Sequence, residues 1–138
     1  MKILIDTNIL IDYFSKRPLF YDEARLILKS CMEKKVDGCI AAHSVMNAFY
    51  ILRKEFTVDE RRNNLKDLFT ILTVVGIDRA KLLAALGNMG FNDVEDCLQM
   101  ECAKDFSADY IVTRNIKDFA NSSIKPILPG DFLKLVSK

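Results

Sequence analysis

The chain has 138 residues, of which 50% are hydrophobic and 28% are charged, and its formal net charge at pH 7 is +1. This length is typical of one domain with a substantial core, and we predict a single domain over residues 1–138. The near-neutral charge excludes a strongly basic, histone-like protein. It leaves room for a local basic patch, because 20 Lys and Arg side chains can be distributed unevenly.

Short apolar segments alternate with segments of helical apolar spacing along the chain. The apolar run at 2–5 is typical of a buried strand. Further strands are predicted at 36–42, 73–77, 109–113 and, more weakly, 124–128. Helices are predicted at 8–15, 20–32, 57–72 and 79–88, and others begin at Ser44, Asn92 and Pro129.

Polar residues at helix starts predict how several of these helices are capped. Asp6 or Thr7 is expected to cap the first helix, and Ser44 the third. Asn92 is followed three residues later by Glu95, which is the spacing of a capping box.

Strands that alternate with helices indicate an α/β three-layer sandwich with a mainly parallel central sheet. In such sheets, ligands bind beyond the carboxyl ends of the strands. Asp6 directly follows the first strand, so its side chain is expected at that edge.

Other polar groups are expected at the same edge of the sheet. Asp93 and Asp96 lie three residues apart near a helix start and therefore face roughly one way, while residues 113–119 directly follow the fourth strand. Carboxylates and amides without His or Cys select hard cations, so Mg²⁺ or Mn²⁺ is the expected ion. The matching chemistry is phosphodiester hydrolysis, in which a metal activates water and neutralises phosphate charge.

The chain resembles the PIN-domain family of metal-dependent ribonucleases, which includes many toxins of bacterial toxin–antitoxin pairs. The resemblance rests on three segments in order along the chain: ILIDTNIL at 3–10, DVEDCL at 93–98 and IVTRNIKDF at 111–119. It implies parallel strands with helices on both sides, and a site of three or four acids that holds Mg²⁺ or Mn²⁺. It also implies RNA as substrate, a homodimer and a small antitoxin partner.

Carried over by position, the resemblance places the first acid at Asp6 and the third at Asp96. The second and fourth family positions hold Asn47 and Asn115, which are amides and add no negative charge. Asp93 and Asp118 each lie about one turn from a family position and can restore part of that charge.

The resulting hypothesis gives each candidate residue a role and leaves a simpler reading open. Asp6 and Asp96 are the main metal ligands, with Asp93 and Asn115 as further ones, and Asp118 and Asn47 assist catalysis. Four residues are candidates for contacting RNA: Arg114, Lys117, Thr7 and Asn8. Each polar residue could instead serve only as a helix cap, a turn or a solvated surface position.

Two alternative functions remain open from the sequence. A PIN-like scaffold could bind RNA or a protein without cleaving, which the amides at Asn47 and Asn115 favour. A phospho-aspartyl domain also places an Asp after its first strand. However, Asn8 stands where one such class needs a second Asp, and the segment after the fourth strand lacks the lysine of the other.

The cysteines and the absence of long apolar runs predict a cytoplasmic protein. Cys31, Cys39, Cys97 and Cys102 form no zinc-binding pattern and are interpreted as core thiols of a reducing compartment. No secretory signal is recognised at the N-terminus, and no apolar run approaches the ~20 residues that span a bilayer.

Overall fold

The computed structural model describes residues 1–137, and its centre is a parallel sheet of five strands. In chain order the strands are β1 (Lys2–Ile5), β2 (Asp37–Ala41), β3 (Thr73–Val75), β4 (Tyr110–Val112) and β5 (Lys125–Ile127). Their spatial order is β3-β2-β1-β4-β5, and every neighbouring pair is parallel.

Helices cover both faces of this sheet. They are α1 (Thr7–Phe14), α2 (Tyr21–Met32), α3 (Ala42–Ile51), α4 (Val58–Leu68), α5 (Arg79–Gly87), α6 (Val94–Phe106) and α7 (Pro129–Val136). Short 3-10 turns follow at Leu52–Lys54 and Ile116–Phe119. Helices α1 to α4 and α7 pack on one face, and α5 and α6 pack on the other. The predicted three-layer α/β/α sandwich is therefore confirmed.

The central strand shows why the sheet needs helices on both sides. Ile3, Leu4 and Ile5 are all fully buried. Since successive strand side chains point to opposite faces, Ile3 and Ile5 enter the core under α1 and α2, whereas Leu4 enters the core under α6. A short run without polar residues is what a parallel strand buried on both faces requires.

Two predicted helix caps are wrong. Helix α3 begins at Ala42, directly after β2, so Ser44 is a buried residue inside the helix and not its cap. Helix α6 begins after Asp93, whose side chain accepts a hydrogen bond from the Glu95 backbone, so Asn92 forms no capping box. The capping box of the structure lies at the start of α4, between Thr57 and Glu60.

The strand order reverses direction at β1. The connection from β1 leads to β2 on one side, and the chain later returns to β4 on the other side. The carboxyl ends of β1 and β4 therefore border a crevice, which is where open α/β sheets bind ligands. Asp6 follows β1 and Thr113 follows β4, so both lie at this crevice.

Two further findings concern the cysteines and the helices. All four cysteines are buried and unpaired, as expected for core thiols. No helix within residues 1–137 is long and apolar enough to cross a lipid bilayer.

Candidate active site

A cleft of about 400 Å³ opens at the carboxyl ends of β1 and β4. Helices α1, α3 and α6 and the segment after β4 form its walls. The lining contains eight of the predicted site residues: Asp6, Thr7, Asn8, Asn47, Asp93, Asp96, Asn115 and Asp118. The structure therefore brings together side chains that lie up to 112 positions apart in the sequence, from Asp6 to Asp118.

Asp6 lies at the floor of the cleft and is held by two side chains. One carboxylate oxygen accepts a hydrogen bond from Gln99 Nε2 at 2.9 Å, and the other accepts one from Thr113 Oγ1 at 2.7 Å. Asp6 is the N-cap residue of α1, but its side chain makes no capping bond. Because the carboxylate is buried and bonded to α6 and to the end of β4, it is fixed toward the cleft rather than toward its own helix.

Thr113 links Asp6 to the segment that follows β4. Its hydroxyl donates to Asp6 and accepts a hydrogen bond from the Asn115 backbone N–H at 2.9 Å. Thr113 is completely buried. This chain of bonds orders the turn that carries Asn115 and Asp118 to the cleft.

Asp96 lies in the first turn of α6 and is the acid whose pKa is most altered. Burial of the side chain, followed by the nearby carboxylates of Asp93, Asp6 and Asp118, raises the pKa of the Asp96 carboxyl to about 7. Each of these causes disfavours the ionised form. The cleft therefore holds more negative charge than its own side chains neutralise.

The junction between α3 and α6 closes one side of the cleft. Asn47 Nδ2 donates to a carboxylate oxygen of Glu95 at 3.0 Å, and His43 Nε2 lies 2.9 Å from the Glu95 carbonyl oxygen. Asp93 caps α6 through the Glu95 backbone N–H at 2.8 Å. Asp93 therefore has the structural role that its position predicts, and it also lines the cleft.

Thr7 and Asn8 extend the lining along the first turn of α1. Thr7 Oγ1 donates to Ser44 Oγ at 2.7 Å, which connects α1 to the buried interior of α3. This bond accounts for the buried Ser44 hydroxyl inside a helix. Thr7 and Asn8 remain partly exposed at the cleft.

The two predicted basic contacts, Arg114 and Lys117, do not line the cleft. Arg114 donates to both carboxylate oxygens of Asp12, with its Nε at 2.7 Å and a terminal nitrogen at 3.0 Å, and it stacks 4.1 Å from the Phe20 ring. Lys117 is exposed. Arg114 therefore anchors the segment after β4 to α1.

Comparison with protein families matches a PIN-domain model to residues 2–117. The chain belongs to the PIN-domain family. No curated protein has a sequence significantly similar to that of the chain.

Several solved structures have the same fold as this chain. The PIN domain is similar to a toxin–antitoxin complex from Klebsiella pneumoniae, with a TM-score of 0.69, 23% identity, and coverage of 92% of this chain and 97% of that chain. It is also similar to VapBC-1 from nontypeable Haemophilus influenzae, with a TM-score of 0.67, 15% identity, and coverage of 94% and 99%. A third similar structure is VapBC2 from Rickettsia felis bound to a promoter DNA fragment, with a TM-score of 0.65, 19% identity, and coverage of 93% of this chain and 98% of that chain. These similarities support the fold of the PIN domain.

The donor set of the cleft fits a hard divalent cation. Five carboxylates line it, from Asp6, Asp93, Glu95, Asp96 and Asp118, and no Lys or Arg among residues 1–137 lies in that lining. No three His, Cys, Asp or Glu side chains in the same residues are arranged as a ready-made metal site. A cation would therefore be held by one or two carboxylates with water completing its shell, which is the usual mode for Mg²⁺.

Gln99 is the main residue of the cleft that sequence reasoning missed. It is 3% exposed, it orients Asp6, and its Oε1 is a buried atom without a hydrogen-bond partner in the part of the chain described. An unsatisfied buried acceptor that lines a cleft is suited to a water or a hydrated cation. A signal existed, because Gln99 lies three residues after Asp96 and hence on the same side of α6.

Asp12 was also missed. It is 1% exposed within an otherwise apolar stretch of α1, and its partner Arg114 lies 102 residues later. A single acid among apolar helix residues is the kind of position that demands a buried partner, although the sequence alone does not identify that partner.

Proposed function

We propose that this PIN domain is a toxin-type, metal-dependent endoribonuclease that hydrolyses phosphodiester bonds of single-stranded RNA. The observation that carries the proposal is the convergence of five carboxylates on one cleft, where burial and the other four acids raise the pKa of Asp96 to about 7. Such a cluster favours a cation, and RNA presents the negative charge that a bound cation can neutralise.

Asp6 and Asp96 would be the main ligands of Mg²⁺ or Mn²⁺, and the oxygens of Asp93 and Asn115 would reach the cation through its bound water. A bound divalent cation supplies Lewis-acid polarisation of the phosphate and activation of water. Gln99 and Thr113 keep the Asp6 carboxylate in one orientation, so that it does not have to reorganise when substrate arrives. Asp118 and Asn47 line the rim, where they can orient water against the scissile phosphate.

RNA would approach along the rim of the cleft. Thr7 and Asn8 lie there, where the Asn8 amide can donate a hydrogen bond to a phosphate oxygen while the Thr7 hydroxyl donates to Ser44, and the exposed Lys117 supplies a positive charge beside the cleft. Arg114 was also a predicted RNA contact, but two of its nitrogens are bonded to Asp12. We therefore assign Arg114 to holding the segment after β4 in place.

A small antitoxin is the proposed protein partner, since one of the structural neighbours named above is a toxin–antitoxin complex. The chain exposes large apolar side chains that a partner can cover, including Leu83, Leu86 and Met89 at α5 and after it. A homodimer is proposed as well, and light scattering on the purified chain would measure it.

The four free cysteines support a reducing, cytoplasmic location.

The direct test is cleavage of a labelled single-stranded RNA with Mn²⁺, with Mg²⁺ and with chelator. Wild type is compared with Asp6→Asn and Asp96→Asn, which keep the side-chain shape and remove the charge. Asp59→Asn is the control, because Asp59 is an exposed acid on α4 outside the cleft. We expect metal-dependent cleavage that both cleft variants lose and the control keeps. Cleavage that survives both cleft substitutions would refute the proposed site.

The second candidate function is a binding module that keeps the scaffold without cleaving. It is favoured by Asn47 and Asn115, two amides that line the cleft where the resemblance predicts acids. A Mn²⁺ titration separates the two candidates. Saturable binding that Asp96→Asn abolishes supports the nuclease, whereas no saturable binding supports the module.

A further inference from the structure

Glu95 is a cleft acid to which the proposed ligand set gives no role. It lies in the first turn of α6 between Asp93 and Asp96, and its side chain lines the cleft. Glutamates near a helix start are commonly solvated, with the side chain free to sample several rotamers. This one is bonded across the cleft wall to a residue 48 positions earlier in the chain.

Three hydrogen bonds fix Glu95. Its backbone N–H donates to Asp93 Oδ1 at 2.8 Å, its carbonyl oxygen lies 2.9 Å from His43 Nε2, and one carboxylate oxygen accepts from Asn47 Nδ2 at 3.0 Å. Two of these bonds come from α3. The residue is therefore positioned at both its backbone and its side chain, although its surface is exposed.

The acids of the cleft are distributed unevenly between its walls, and the hydrogen bond between Asn47 and Glu95 partly offsets this. Helix α3, which includes His43 and Asn47, contributes no acid to the lining, whereas α6 contributes Glu95 and Asp96 and its N-cap residue Asp93 adds a third. The Asn47 amide, acting as a donor, draws the Glu95 carboxylate to the α3 side. Asn47 thus places a negative charge there without carrying one itself.

Holding the Glu95 carboxylate on the α3 side of the cleft is electrostatically unfavourable, because other carboxylates lie nearby, unless a bound cation offsets the repulsion. Glu95 is one of five carboxylates that line the same cleft, so its charge repels the other four. A solvated rotamer would reduce this repulsion, yet the Asn47 bond keeps the carboxylate at the cleft. Independently, the buried and unpartnered Oε1 of Gln99 in the same lining indicates that the cleft is built to receive a ligand.

We propose that Glu95 is a ligand acid of the metal site, binding the cation directly or through its water, and that Asn47 is the positioning residue that holds Glu95 there. The inference rests on the proposed metal-dependent function and adds an acid from α6 that serves the α3 side of the cleft. It also gives Asn47 a defined task, which is to donate a hydrogen bond to an acid.

The first experiment measures Mn²⁺ affinity by calorimetry on the whole chain. Glu95→Gln keeps the size and the acceptor for Asn47 but removes the charge, and we expect a roughly tenfold loss of affinity. Glu101→Gln is the matched control, since it removes the same charge from the same helix outside the cleft and should leave the affinity unchanged. Far-UV circular dichroism and urea unfolding verify that each variant is folded.

A double-mutant cycle tests the role of Asn47. If Asn47 acts through Glu95, then Asn47→Ala weakens Mn²⁺ binding in wild type but has no further effect in the Glu95→Gln background. If Asn47 serves only as packing between helices, the two losses add, and the positioning role is refuted. As a second check, Asn47→Asp in the Glu95→Gln background should restore most of the lost affinity, because it returns the charge to the same side.

The outcomes separate this inference from the proposed function. Wild-type affinity in Glu95→Gln, together with loss of binding in Asp96→Asn, would overturn the role of Glu95 and leave the metal site standing. Wild type that binds no Mn²⁺ would overturn both. Loss of affinity in Glu95→Gln but not in Glu101→Gln supports the inference.

Discussion

Replacing Asp96 by Asn is expected to stabilise the metal-free protein at pH 8 while abolishing its binding of a divalent cation. Burial and the neighbouring carboxylates raise the pKa of Asp96 from 3.8 to about 7 in the folded protein. Between these two values the folded state binds a proton more tightly than the unfolded state. The contribution of Asp96 to the free energy of unfolding therefore falls as pH rises from about 4 to about 7, and the full loss is present above that range.

The size of this effect follows from the pKa change. A rise of about three pKa units corresponds to roughly 4 kcal/mol, at about 1.4 kcal/mol per unit. Asp96 is only partly buried, so solvent screening reduces this figure, and we expect about 2 kcal/mol. The corresponding increase in Tm for Asp96→Asn at pH 8 is roughly 6 °C.

Urea unfolding at pH 5 and pH 8 in the presence of chelator measures the prediction. The gain from Asp96→Asn should be smaller at pH 5 than at pH 8, because the wild-type carboxyl is already largely protonated at pH 5. Adding Mn²⁺ at 100 times its Kd should stabilise wild type by about 2.7 kcal/mol and leave the variant unchanged. Lower stability of Asp96→Asn than of wild type at pH 8 would show that the carboxylate makes favourable contacts in the apo protein, and would refute the reasoning.

Three further substitutions test the packing around the cleft and the sheet by urea unfolding. Thr113→Val removes the 2.7 Å bond to Asp6 and should lower the free energy of unfolding by about 1–3 kcal/mol; an unchanged value would mean that water replaces the hydroxyl. Asp12→Ala leaves Arg114 without its partner and should cost about 3–5 kcal/mol, with a smaller loss disproving a buried ion pair. Gly38→Ala in β2 places a methyl group 2.7 Å from Cys31 Sγ and should cost about 1–3 kcal/mol, unless the neighbouring side chains move without strain.

Much of the fold could be predicted because its signals are local. The run Ile3 to Ile5 is short, apolar and followed by Asp6, which together predict a buried strand and an acid at its carboxyl end. The structure confirms that strand, and the alternation of strands and helices predicted the layered sheet. The boundaries were less accurate, since the helix predicted over 57–72 ends at Leu68, before the turn that leads into β3.

The caps could not be predicted from residue type alone. Ser44 is a good capping residue, but β2 passes into α3 without a loop, so the N-cap position falls on Ala41 and Ser44 becomes a buried acceptor for Thr7. At α6 the sequence pattern predicted Asn92 as the cap, but the next residue, Asp93, is the one that caps the helix. A shift of one or two residues at an element boundary decides which side chain can reach the free backbone N–H groups.

Local patterns of residues were enough to predict which segments form strands and helices, and that acids follow the strands at one edge of a parallel sheet. The partner of each polar side chain depends on how the elements pack in three dimensions. Arg114 has a sequence position suited to RNA but bonds Asp12, and Glu95 has the spacing of a capping box but bonds Asn47. Periodicity reflects contacts between chain neighbours, whereas a buried or hydrogen-bonded charge takes the partner that the packing of sequence-distant elements brings within about 3 Å.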